Sequence, residues 1–326
     1  MKFTIPFFLL LFIITLPSRA QSSYFYNNEY YDNPLTFEAG ISLGPMNSLT
    51  DIGGRRGRGT RGPKDMNIKS TTFYGSIYAS AIYRHFLGLR FEVTKGSIKS
   101  NDSLLDGIKT TAIGRYNRNL SFRSPIDEVS LTFEFHPIDL FSNFNPERYP
   151  PALSPYLIAG VGYFHFNPQA NLNGEWIDLR PLHTEGEGFA EYPDRKEYKL
   201  NQWNVPLGVG VAYELSSKFN VRLEYISRKS FTDYLDDVHD KYIDPALFNK
   251  YLSGADLTNA LILNNRVRPG TPARQTTARP GGRRGNPLNN DSYFTVNFKV
   301  GFLFGRESIS GSGRSSKKQL KCPQLF

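Results

Sequence analysis

Apolar and polar side chains alternate with a two-residue period in about eight separate segments of the chain. The last is the plainest: Phe294, Val296, Phe298, Val300, Phe302 and Phe304 interleave with Thr295, Asn297, Lys299, Gly301 and Leu303. Successive side chains of a strand point to opposite faces, so such a segment needs hydrocarbon on one side and a more polar environment on the other. The pattern predicts an all-β fold, an eight-stranded antiparallel transmembrane up-and-down β-barrel with long extracellular loops.

The first predicted strand covers residues 35–43, with Leu35, Phe37, Ala39, Ile41 and Leu43 on one face and Thr36, Glu38, Gly40 and Ser42 on the other. The second, 72–84, places Phe73, Ile77, Ala79, Ala81 and Tyr83 outward. A tight turn near His85 leads to the third, where Leu89, Phe91 and Val93 oppose Arg90, Glu92 and Thr94. The fourth, near 128–135, sets Val129, Leu131, Phe133 and Phe135 against Glu128, Ser130, Thr132 and Glu134. The fifth, 156–166, is apolar on both faces and its parity stays open, while Gly160 and Gly162 point to crowding or a bend. Val205, Leu207, Val209, Val211 and Tyr213 mark the sixth, and Phe219, Val221, Leu223 and Tyr225 the seventh, with Asn220, Arg222 and Glu224 opposite.

The connections alternate between long and short, as in outer-membrane barrels with long external loops and short periplasmic turns. The long ones are residues 45–70, 97–125, 167–202 and 229–291. Residues 136–153 exceed a minimal turn and are expected to form a small periplasmic platform. The stretch 266–290, rich in Pro, Gly, Arg and Asn, reads as a mobile loop, because a further strand follows it.

Arg90, Glu92, Glu128, Glu134, Arg222, Glu224 and Lys299 all fall on the predicted lumen face. A barrel of about eight strands is just filled by its own side chains, and an unpaired buried charge is costly. The expectation is therefore an ion-pair network plugging the barrel, with a proton or substrate path as the alternative. A second concentration, FTDYLDDVHDKYID, contains Phe231, Asp233, Tyr234, Asp236, Asp237 and Asp240. It lacks the spacing of a calcium loop and reads as an acidic surface turn, with Ca²⁺ binding or recognition of a basic partner as alternatives.

Composition agrees with a barrel: aromatic residues make up 14% of the 326 residues and hydrophobic ones 39%, with only alternate strand positions facing lipid. No stretch beyond residue 20 is long and apolar enough for a spanning helix. The net charge of +9 gathers at residues 53–61, 279–284 and 314–321. Without a nucleic-acid fold signature, and in an exported chain, anionic lipid, polysaccharide or an acidic protein is the expected contact. Residues 1–20 read as a cleaved secretory signal, 21–34 as a periplasmic segment, 35–304 as the barrel and 305–326 as a basic periplasmic tail. Cys322 is alone, so an internal disulfide framework is excluded. His85, His136, His165, His183 and His239 are scattered without metal-ligand spacing, and no activated nucleophile is evident. No metal, cofactor or enzymatic activity is expected.

Several segments in order carry a resemblance: RNLSFRSPIDEVSLTFEF at 118–135, PYLIAGVGYFHFNPQANLNGEWIDLRPLHTEGEG at 155–188, FTDYLDDV at 231–238, NDSYFTVNFKVGF at 290–302 and the ending KCPQLF. Together they resemble the PorG-like outer-membrane proteins of Bacteroidota across most of the mature chain. The arginine-rich inserts of the first and fourth long loops depart from that pattern. The resemblance implies an eight-stranded outer-membrane barrel of the type IX secretion system, which is linked to gliding motility. It also implies association with a periplasmic ring built from the PorK lipoprotein and PorN. The expected function is a non-enzymatic scaffold seated in outer-membrane lipid, with residues 136–153 and the tail residues Lys317, Lys318 and Lys321 as contact surfaces. The alternative is a binding barrel whose external loops capture glycan, lipopolysaccharide or a surface protein.

Overall fold

The computed structural model describes residues 34–54, 67–106, 112–143, 153–216 and 218–304. Eight strands form the barrel: β1 (Leu35–Leu49), β2 (Thr72–Tyr83), β3 (Leu87–Asn101), β4 (Ser121–Phe135), β5 (Leu153–Phe166), β8 (Asn201–Glu214), β9 (Phe219–Ser230) and β10 (Ser292–Phe304). A short hairpin of β6 (Gln169–Leu172) and β7 (Glu175–Asp178) lies between the fifth and sixth of these in chain order. Each barrel strand pairs antiparallel with its neighbours in sequence, and β1 with β10 closes the ring. Closure removes every sheet edge, which is the condition for a sheet to sit in hydrocarbon.

The short connections, the start of β1 and the end of β10 lie at one end, and the long connections at the other. Between β2 and β3, Arg84 and His85 take φ of 45° and 63°, and Phe86 donates its N–H to the Tyr83 carbonyl at 3.2 Å. Two successive left-handed residues match the right-handed twist of the flanking strands. Residues 137–143 form a short helix, α1, at the same end, started by Pro137 at a position where its missing N–H costs nothing.

The barrel is inverted relative to a water-soluble one. Ile41, Ile77, Phe133 and Leu223 are 55–62% exposed on the outside, whereas Glu38, Arg90, Glu134 and Lys299 are fully buried inside. An apolar belt running round all eight strands exceeds the few hundred Å² that water-soluble monomers expose. The barrel spans a membrane. Rings of aromatic residues border the belt: Phe37 stacks on Phe304 at 5.8 Å at the short-turn end, and Tyr163 meets Trp203 at 5.0 Å near the other. Among the described residues no helix is long and apolar enough to cross a membrane.

The structure differs from the sequence reading in the reach of four strands, the first of which, β1, runs on to Leu49 rather than ending near Leu43. β3 runs on to Asn101, β4 begins at Ser121 and β8 begins at Asn201, so much of the expected 97–125 loop is paired strand. Above the belt the outward residues turn polar, which erases the alternation although pairing continues. β5 places Tyr156, Ile158, Phe164 and Phe166 inward and Leu157, Val161 and Tyr163 outward, and this fixes its parity.

The long connections fold into a cap. Besides β6 and β7 it holds short helices at Ile113–Arg118, Phe248–Tyr251 and Gly254–Asn264. An apolar plug of Met46, Ile98, Phe122, Phe164, Phe166 and Leu235 joins the cap to the barrel. A second core, with Leu182, Phe189, Ile243, Phe248 and Leu263, lies within the cap itself.

Candidate functional site

The lumen is filled in layers. At the short-turn mouth, His136 stacks on Tyr156 with ring centres 4.6 Å apart and its Nδ1 lies 2.8 Å from Ser154 Oγ. The Ser154 hydroxyl donates to Asp139, and His136 Nε2 lies 3.7 Å from Glu134. Burial opposes a charged ring here, but hydrogen bonds to Asp139 and Glu134 outweigh it and raise the His136 pKa. Scattered in sequence, the histidines gave no sign of this contact. The only histidine the sequence placed well inside a strand, His165, points outward and bonds Asn201 at 2.9 Å.

Above the mouth sits the ionic layer. Arg222 binds Glu38 and, at 2.7 Å, Glu134. Arg90 reaches Glu224 at 2.5 Å, Glu134 at 2.9 Å and Glu92 at 3.4 Å. Lys299 reaches Glu92 at 2.5 Å and Glu224 at 3.5 Å. Three cations thus meet the four carboxylates of Glu38, Glu92, Glu134 and Glu224. Hydroxyls supply further donors: Tyr78 to Glu38, Tyr156 to Glu224 and Ser76 to Glu92, each at 2.5 Å. Gly301 makes room for the Glu38 carboxylate, since a Cβ there would lie 2.1 Å from Glu38 Oε1. One step higher, Arg228 pairs with Glu128 at 2.6 Å, and Tyr293 donates to the same carboxylate at 2.9 Å.

All seven residues singled out for the lumen lie in these layers. Glu38, Tyr78, Tyr156 and Arg228 complete them; the last three were missed, and Glu38, which the alternation put on the inner face, was left out of the expected network. Arg228 shares the inward parity of Arg222 and Glu224, so continuing the alternation by four residues would have found it.

The acidic segment is not a surface turn. Asp233, Asp236 and Asp237 are buried, Asp240 and Tyr234 are partly buried, and Phe231, Lys241 and Asp244 at the ends of the segment are exposed. Their oxygens serve the cap. Asp236 accepts the N–H groups of Ile52 and Val238, and Asp237 accepts the hydroxyls of Thr184 and Tyr198. Asp233 meets His239 Nδ1 at 2.8 Å, and nearby Asp291 accepts the Leu235 N–H at 2.9 Å. These roles explain why the segment is buried: Asp236 satisfies backbone donors, and Asp237 and Asp233 satisfy side-chain donors that converge on them inside the cap. Among the described residues no group of three or more His, Cys, Asp and Glu is placed to hold a metal ion.

Burial pushes Glu187 up to about 8, with Asp237 and Glu185 adding to the effect, and pushes Asp233 up to about 7 against the lowering contact of His239. Asp237 rises to about 6 through burial, although Arg284 opposes it. Burial and neighbouring carboxylates hold Asp236 and Asp291 well above the ordinary carboxylate range.

Two arginines tie the cap together. Arg118 pairs with Asp102 at 2.8 Å and donates to the Asp51 and Arg284 carbonyls. Arg284, fully enclosed, pairs with Glu185 at 3.0 Å and donates to the Asp237 carbonyl at 2.7 Å. Residues 266–290, read from composition as a mobile loop, are therefore built into the cap. An outward-open pocket of about 330 Å³ lies on the cap, lined by Glu191, Tyr192, Arg195, Tyr234, His239 and Asp240 among others. Lys317, Lys318 and Lys321 lie outside the described residues, as do the proposed signal segment and residues 55–66.

Residues 31–181 match a family model described as a domain of unknown function, DUF6089. The match takes in the first five barrel strands and the β6–β7 hairpin. No curated protein matches the chain. Among solved structures the chain is similar to the attachment invasion locus protein Ail of Yersinia pestis, at 10% identity, 82% of this chain, 98% of that one and a TM-score of 0.32. It is also similar to Neisserial surface protein A, at 10% identity, 82% and 97% coverage and a TM-score of 0.34. Outer membrane protein W of E. coli gives 12% identity, 83% and 98% coverage and a TM-score of 0.33.

Proposed function

We propose that the chain is an integral outer-membrane barrel, exported by a Sec-type signal, that serves the type IX secretion and gliding machinery as a non-enzymatic scaffold. Its task is to anchor a periplasmic ring of PorK- and PorN-like proteins to the outer membrane. The observation that carries this reading is the filled lumen, in which buried ion pairs cross from wall to wall. A barrel without a passage works through its surfaces rather than as a conduit. The resemblance to PorG-like proteins names the machinery, and α1, in the described part of residues 136–153, offers a contact surface at the end where β1 begins and β10 ends. Lys317, Lys318 and Lys321 add a basic tail suited to an acidic partner, with affinity that falls as salt rises.

The test is recovery of partners from mildly solubilised outer membranes, using the tagged full chain and a chain ending before Gly305, across a salt series. Ring proteins that co-purify with the full chain and weaken with salt support the scaffold. Equal recovery with the shortened chain removes the tail from the contact surface.

One observation favours a second reading. The cap is folded and carries a pocket where Tyr192 and Tyr234 lie beside Glu191 and Asp240, a pairing of rings and carboxylates suited to a sugar. A receptor of this kind captures a glycan or surface protein from outside, and loss of residues 266–290 impairs it while sparing a periplasmic scaffold.

A further inference from the structure

On the outer wall formed by β3 and β4, cross-strand partners change character with height. Leu87 faces Phe135, Leu89 faces Phe133, Phe91 faces Leu131 and Val93 faces Val129, all outward and apolar. The next outward pair is Lys95 with Asp127, an ion pair at 3.1 Å that marks the edge of the belt. Two outward pairs higher, Lys99 faces Arg123. Like charges directly opposite each other destabilise a sheet, and opposite ones stabilise it. The same wall therefore carries a satisfied pair at its edge and an unsatisfied one above it.

Among the described residues no carboxylate forms an ion pair with either member of the upper pair; Asp178, in the same row, accepts from Gln169 and not from Arg123. Arg123 instead lies over the Trp176 ring at 4.0 Å and donates to Gln169 Oε1 at 2.7 Å. Arg266, from the cap, donates to Ser121 Oγ and the Asn171 carbonyl, both at 3.3 Å. Among the described residues it too has no ion-pair partner, and burial lowers its pKa. Ser121 and Arg123 share one face of β4 two residues apart, about 7 Å along the strand. Two guanidinium groups and an ammonium group thus converge on one patch, each guanidinium held by neutral acceptors and one backed by a half-exposed indole.

Height selects the ligand. Six residues beyond the last apolar pair, on a strand tilted as in small barrels, the patch stands roughly 15 Å above the hydrocarbon. That is past the phosphates of an ordinary bilayer surface and at the level of a glycolipid's sugars. We infer that Lys99, Arg123, Arg266 and Trp176 form a site for a phosphorylated sugar of a membrane-anchored glycolipid lying against the β3–β4 wall. The guanidinium groups bind phosphate oxygens in forked pairs, with the indole behind Arg123 holding its guanidinium in place. The site rests on the long-loop end facing a glycolipid leaflet and is independent of any periplasmic ring.

The test measures binding of lipopolysaccharide to the purified full-length barrel in detergent, without ring proteins. The probes are lipopolysaccharide with a phosphorylated inner core, the same material after dephosphorylation, and inorganic phosphate. The expected result is a loss of roughly tenfold or more on dephosphorylation, and a similar loss in the Lys99→Gln/Arg123→Gln chain, with Lys95→Gln unchanged. Lys99→Glu should abolish binding while raising the unfolding midpoint of the free barrel, because it replaces repulsion across the ladder with attraction. Equal binding of the dephosphorylated lipid overturns the proposal, and that arm needs only the wild-type chain. Inorganic phosphate binding as tightly as the glycolipid overturns the lipid source.

Discussion

Arg90 on β3 and Glu224 on β9 meet at 2.5 Å although their strands lie on opposite sides of the barrel, four strands apart in either direction. With the Arg222 and Lys299 pairs at the same level, that contact bridges the lumen from wall to wall. It also sets an energetic condition, since removing one partner strands a buried charge. Arg90→Met should lower stability by about 3–5 kcal/mol, whereas Arg90→Met combined with Glu224→Gln should recover much of the loss. Denaturant midpoints of the refolded barrel, followed by its heat-dependent electrophoretic mobility, decide this.

The same layer predicts silence in a planar bilayer. With the lumen occupied by Arg90, Arg222, Lys299 and their carboxylates, the wild-type barrel should show no stable single-channel conductance. A steady ohmic step would show that water threads the ionic layer.

Stability of the cap should depend on pH in a direction opposite to that of most carboxylate-rich surfaces. Glu187 is raised to about 8, Asp233 to about 7 and Asp237 to about 6, all above their unfolded values near 4. The folded cap therefore holds more protons than the unfolded chain between about pH 4 and 8, and its stability is full at the acid end and falls as pH rises. Each proton contributes a slope of at most about 1.4 kcal/mol per pH unit. Unfolding of the cap, followed by tyrosine fluorescence, should occur at lower temperature at pH 8 than at pH 5.5, and Glu187→Gln should flatten the difference.

Arg284 joins Glu185 to the Asp237 backbone from within a segment that composition alone marks as loose. Arg284→Ala should open the cap locally at a cost of about 3 kcal/mol, roughly a hundredfold in the open population. Limited proteolysis within residues 266–290 should accelerate to match, while the barrel band on the gel stays intact. An unchanged cleavage rate would mean that the segment is held elsewhere.

The barrel was legible because lipid imposes a strict rule on alternate residues, and Phe294 to Phe304 obey it almost without exception. Where the rule relaxes, sequence reading loses its grip. In β5 the inward Tyr156, Ile158, Phe164 and Phe166 pack in a lumen that is itself partly apolar, so both faces look alike. At the tops of β3 and β4, Lys99 and Arg123 face outward above the hydrocarbon, and polarity there no longer distinguishes the faces. The acidic segment misled for another reason. Asp237 finds Thr184, Tyr198 and Arg284 at separations of 39 to 53 residues, and no local spacing announces such partners.

The most direct test of the scaffold is photocrosslinking in intact cells, with the probe placed in turn on α1 at Ile138, in the tail beside Lys317, and on the cap at Leu288, which is 82% exposed. The account predicts adducts with periplasmic ring proteins from α1 or the tail and none from the cap. Adducts from Leu288 alone, to a surface protein or glycan-bearing molecule, would contradict it and make the cap the working surface.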